Sequence, residues 1–133
     1  MRNLVIVFLI GIVMGAAGTA ILVNSLNKRS AYPDGVMTVM GHQMKALGQS
    51  IKQNRCTPSD LTTRLQTLRL VANDIEPAFD SMQGDSQFGR YGSKLRAAAD
   101  SALTSPITTC AIASKVVDKV DQACDSCHRD YRD

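Results

Sequence analysis

Residues 110–133 read CAIASKVVDKVDQACDSCHRDYRD. Within them Ala113, Val116, Val120, Ala123 and Cys127 fall at steps of 3, 4, 3 and 4. That is the rhythm of a helix burying one apolar stripe. The stretch holds neither glycine nor proline, so nothing local breaks the helix before the final charged residues.

Working backwards, the same rhythm appears three more times. In VMTVMGHQMKALGQSIKQ (36–53), Met37, Met40, Met44, Leu47 and Ile51 keep it. RCTPSD (55–60) closes that segment and opens another, with Pro58 suited to a first helical turn. The second segment carries Leu61, Leu65, Leu68, Ala72 and Ile75, with Leu70 and Val71 widening its face. EPAFDSMQGD (76–85) interrupts, and the third segment carries Phe88, Tyr91, Leu95, Ala98 and Ala102. No strand-like alternation competes. Four helices joined by short loops predict an all-α fold, an antiparallel up-down-up-down four-helix bundle. With no tryptophan, three phenylalanines in the whole chain and many core alanines, such a bundle would pack poorly unless something bulky filled its middle.

The amino-terminal region differs in kind. LVIVFLIGIVMGAAGTAILV (4–23) is twenty residues without a charge. A helix of that length covers ~30 Å, the hydrocarbon thickness of a bilayer. We expect a single transmembrane helix here, within an anchor and polar linker covering residues 1–29, followed by a helical domain over 30–133. Ala17 and Ala20 offer weak signal-peptidase sites, so a cleaved signal peptide is the alternative; the apolar run continuing past both favours the anchor. GIVMG (11–15) fits the small-xxx-small pairing pattern, although ordinary glycine usage in a membrane helix is the preferred reading. Arg2 on one side and Lys28 and Arg29 on the other leave orientation undecided by charge.

The chain of 133 residues carries a net charge of +3 without a basic run, which gives no argument for nucleic-acid binding. Four cysteines are too few for a small disulfide scaffold and divide into a local pair, Cys124 and Cys127, and a dispersed pair, Cys56 and Cys110.

The local pair is followed at once by His128. Cys-x-x-Cys-His is the attachment sequence of c-type haem. Two thiols one helical turn apart can each form a thioether to a porphyrin vinyl group, and the adjacent imidazole then faces the iron. A thioredoxin-like redox pair uses the same cysteines but needs its nucleophile near a helix N-terminus, whereas these lie late in a helix and no βαβ pattern accompanies them. A zinc site would need Cys56 and Cys110 as further ligands, and Cys110 lies ~21 Å up the same helix. One covalently bound haem c, held by Cys124 and Cys127 with His128 as proximal iron ligand, is the expected cofactor.

Haem attachment in bacteria occurs outside the cytoplasmic membrane, which orients the chain with its helical domain in the periplasm; signal cleavage would instead release it as a soluble periplasmic protein. That compartment permits disulfides. In an antiparallel bundle the loop after the first helix and the start of the fourth share one end, which brings Cys56 and Cys110 together as a candidate disulfide. The other reading is two unrelated small residues.

The tail CDSCHRDYRD resembles the ending C-x-x-C-H-x-x-Y-[RK] of the cytochromes c′ and their low-spin, methionine-ligated relatives. VMTVMGHQM (36–44) resembles that family's first helix and PAF (77–79) the end of its second. The resemblance covers residues 32–133. It implies a four-helix bundle, one haem c, and a sixth-ligand position near the start of the first helix, which falls here on Met37. The bundle topology agrees, placing that start at the same end as His128. A bound Met37 would give a six-coordinate iron suited to electron transfer; an unbound one would wall a distal pocket open to nitric oxide or carbon monoxide. The resemblance also sets Arg132 close to the haem, although a solvated terminal arginine reads equally well. Many family members carry an arginine where Pro33 stands, so a propionate contact there is not inherited. His42 lies ~140° around the helix from Met37 and should not reach the same iron.

These readings converge on an electron carrier rather than an enzyme. We expect a membrane-anchored monohaem cytochrome, exchanging single electrons between a membrane-bound donor and another redox protein. A gas-binding haem protein and a haem-containing accessory subunit of a membrane complex are the alternatives. The resemblance leaves open a homodimer through the first two helices.

Overall fold

A computed structural model describes residues 2–132, with the side chains of residues 2–5, 7–9 and 24–30 outside the description. Among the described residues the chain is all-helical, with no strand. The elements are α1 (Arg2–Lys52), α2 (Pro58–Val71), α3 (Ile75–Ala78), α4 (Ser86–Thr104) and α5 (Cys110–Tyr131), with 3-10 turns at Ala72–Asp74 and Asp80–Met82. Two compact units divide the chain, Met1–Asp34 and Gly35–Asp133.

In the first unit the backbone is helical from Arg2 onward, including residues 24–30, where a polar linker was expected. NSLNKRS contains no glycine or proline, and polarity alone does not stop a helix that has already nucleated. Pro33 is accommodated inside α1, although it has no N–H to return to the carbonyl four residues back. Ile10, Ile12, Val13, Met14, Ile21, Leu22 and Val23 are all exposed. No helix is long and apolar enough to cross a membrane among the described residues. Residues 4, 5 and 7–9 of the expected anchor have side chains that lie outside them.

The second unit is organised by its caps. Asn54, in the left-handed region at φ 55°, ends α1, and Arg55 N–H donates to Ser50 C=O at 2.8 Å. Pro58 opens α2. Gly84, at φ 87°, turns the chain into Asp85, whose Oδ1 accepts from the N–H groups of Gln87 and Phe88 and caps α4. Thr109 Oγ1 accepts from Ile112 N–H and caps α5.

Helix α4 packs along α5 and α2, and the α3 segment folds onto α4. The core is one cluster. All five residues expected of the second segment, Leu61, Leu65, Leu68, Ala72 and Ile75, are buried in it. From α1 come Val36, Met40 and Leu47, with Met37, Met44 and Ile51 half-buried at its margin. From α4 come Phe88, Leu95, Ala99 and Ala102, and from α5 Ala113, Val117 and Val120. The buried stripe of α5 thus steps by 4 and 3 through Val117, and Val116 lies half-buried at its edge. Each fully buried leucine contributes ~1.5–3 kcal/mol of transfer free energy.

A half-buried ion pair ties α3 to α4. Arg96 donates from both terminal nitrogens to the two oxygens of Glu76, each at 2.8 Å, and also to Ala72 C=O at 3.1 Å. Gly92 leaves room for it, since a Cβ there would stand 2.6 Å from Glu76 Oε1. The hydrogen bonds from Arg96 hold the Glu76 carboxyl below its ordinary 4.5. A carboxyl depressed in this way stabilises the fold above its unfolded pKa and loses that contribution as pH falls through the native value. Glu76→Gln should therefore melt lower than the parent at neutral pH, and the gap should close as pH drops below about 4.5. Melting curves from pH 7 to 3 measure it; a gap that stays constant across that range would refute the assignment.

Candidate haem-attachment site

The residues of CDSCH lie in the last two turns of α5. At 100° per residue Cys124, Cys127 and His128 fall within an arc of ~100°, continuous with the buried stripe of Ala113, Val117 and Val120. Both cysteines are free thiols, half-buried against the core, and His128 is half-buried beside them. This donor set fits a c-type haem: two unpaired thiols one turn apart, an imidazole on the same face, and an apolar surface beneath.

The thiols are electrostatically quiet. Burial, with Asp121 and Asp125 adding to it, pushes the Cys124 thiol up to about 11. Burial and Asp130 raise Cys127 as well. A dithiol used for disulfide exchange needs the opposite shift, toward the thiolate. Among the described residues no three His, Cys, Asp or Glu side chains gather into a metal-holding group. A haem iron takes at most two protein ligands, so it does not require such a cluster.

The surroundings of the motif were not legible in the sequence. Tyr131 Oη donates to Asp85 Oδ2 at 2.6 Å, joining the end of α5 to the cap of α4. Tyr91 Oη on α4 donates to Asp130 Oδ2 at 2.6 Å, and Gln87 Nε2 donates to the same oxygen at 2.7 Å. Phe88 meets Tyr131 edge-on with centroids 5.2 Å apart, and Phe79 meets Phe88 at 5.6 Å. The bond from Tyr131 lowers the Asp85 pKa, and the same bond pushes the Tyr131 hydroxyl up to about 12.

Met37 is half-buried on α1 at the margin of the core that Cys124 and Cys127 also border. Arg132 is exposed, and its backbone N–H donates to His128 C=O at 3.1 Å, closing the last turn of α5. His42 is exposed. Cys56 and Cys110 are joined by a disulfide with a Cα–Cα distance of 5.4 Å. Beside it a cleft of about 610 Å³ opens at the turn from α1 to α2, where the buried Nε of Arg64 has no hydrogen-bond partner among the described residues. None of Met37, Cys124, Cys127 and His128 lines that cleft.

No protein-family model matches the chain, and no curated protein or solved structure matches it either.

Proposed function

We propose that this chain is a membrane-anchored monohaem c-type cytochrome of the cytochrome c′ kind, passing single electrons in the periplasm between a membrane-bound donor and another redox protein. The observation that carries the reading is the placement of two free thiols and His128 on one half-buried face of α5. Cys124 and Cys127 would hold the macrocycle through thioethers, and His128 would ligate its iron. When bound, haem c supplies an iron that takes up and releases one electron, at a potential that Met/His ligation raises. On this reading the stretch of α1 from Gly35, with α2, α4 and α5, makes up the up-down-up-down bundle.

Residues 4–23 serve as the anchor. The described apolar side chains of that helical stretch are exposed within their unit, and a bilayer would cover them. Tethering keeps the carrier near its donor and raises effective concentration without new contacts.

Met37, half-buried on α1 at the margin of the same core, would be the sixth ligand. The test is the visible spectrum of the full chain, ferric and ferrous, with and without carbon monoxide. Ligation by Met37 predicts a low-spin spectrum indifferent to the gas, and Met37→Ala should turn it high-spin and gas-sensitive. A parent protein already high-spin and shifted by carbon monoxide would make Met37 a pocket wall and favour the gas-binding reading.

A further inference from the structure

Two hydrogen bonds cross between α4 and α5 in opposite directions at the end that carries the motif: Tyr131 to Asp85, and Tyr91 to Asp130. The last carbonyls of a helix lack intrahelical partners and the final turn ordinarily frays. Here that turn contains His128. Asp130 and Tyr131 project ~100° apart around α5, so two bonds at these positions resist rotation of the turn about the helix axis, which a single bond would allow. Phenol-to-carboxylate bonds are charge-assisted, shorter and stronger than neutral ones. The Tyr131 ring is further set by Phe88, and by Tyr91 with centroids 6.1 Å apart.

We propose that Tyr131, Asp85, Tyr91 and Asp130 are positioning residues for His128: the crossed pair holds the last turn of α5 and through it sets the plane of the imidazole presented to the iron. This rests on the haem reading above. None of the four touches the iron; each acts through the backbone turn that bears His128. Asp85 serves twice, since the carboxylate that receives Tyr131 also caps α4, which makes the start of α4 and the end of α5 one hydrogen-bonded unit.

The test uses the full chain, haem-loaded in a host that matures c-type cytochromes and held in detergent. Proton NMR of the ferric protein reads the hyperfine-shifted ring protons of His128, which report the orientation of the imidazole plane. Tyr131→Phe keeps the ring and deletes the bond; Asp85→Asn keeps a capping side chain and weakens the same bond, and so reads it even if Tyr131→Phe does not fold. Each should move the His128 signals, and the double variant should move them no further than the larger single change. Tyr91→Phe should move them separately. Glu76→Gln, which loosens α3 from α4 without touching the crossed pair, should lower stability and leave the signals in place. Haem-loaded Tyr131→Phe and Asp85→Asn with signals at the parent positions would overturn the inference alone. So would shifts in Glu76→Gln as large as theirs. A parent chain that takes up no haem would overturn the functional reading and this inference with it.

Discussion

Replacing Cys124 and Cys127 together with serine is expected to reduce covalent haem to background. Serine keeps the size and the helix but cannot form a thioether, so the macrocycle loses both tethers and is held only by axial ligation. The variant should still fold, because the two thiols border the core without being among its fully buried side chains. The single variants should each keep one thioether and one intact vinyl group, and the extra conjugation should move their reduced absorption bands to longer wavelength. Haem staining after denaturing electrophoresis, with far-ultraviolet circular dichroism as the control for folding, measures both effects. Undiminished staining in the double variant would remove the attachment reading.

Opening the Cys56–Cys110 disulfide carries the largest expected effect on stability. The bridge spans a sequence separation of 54 residues, and the loop it closes contains α2, α3 and α4 entire. Cross-linking a loop of that size removes chain entropy from the unfolded state worth about 4 kcal/mol. For a domain of about a hundred residues that corresponds to roughly 15–30 °C in melting temperature. The double variant Cys56→Ala/Cys110→Ala should melt lower than the oxidised parent by that margin, and dithiothreitol should bring the parent down to it. In the haem-loaded parent, denatured without reductant, no thiol should remain alkylatable, since two are bridged and two are in thioethers. Two alkylated cysteines there would mean that the bridge does not form in the protein.

Both results depend on features of different legibility. Leu61, Leu65, Leu68, Ala72 and Ile75 can be picked out from spacing alone, because burial of one stripe is a local property of a helix and its period is written in the chain. The same holds for CDSCH, whose chemistry is set by three residue types at fixed spacing on one helix face. Two local details depart from the spacing. Residues 24–30, expected as a polar linker, are helical, because without glycine or proline the helix continues through them. On α5 Val117 is buried and Val116 half-buried beside it, because Val117 lies nearer the middle of the face that meets the core.

What the sequence by itself determined is therefore the all-helical class, the buried stripe of α2 and the Cys-x-x-Cys-His spacing along α5. Each depends on spacing within one helix, where covalent connection sets the geometry. Only the tertiary structure decided that Tyr131 meets Asp85 and Tyr91 meets Asp130, pairs separated by 46 and 39 residues. It also decided that Glu76 and Arg96 pair beside Gly92. No local rule links such positions, because their proximity follows from how helices pack once loops close, and that packing is a property of the whole core.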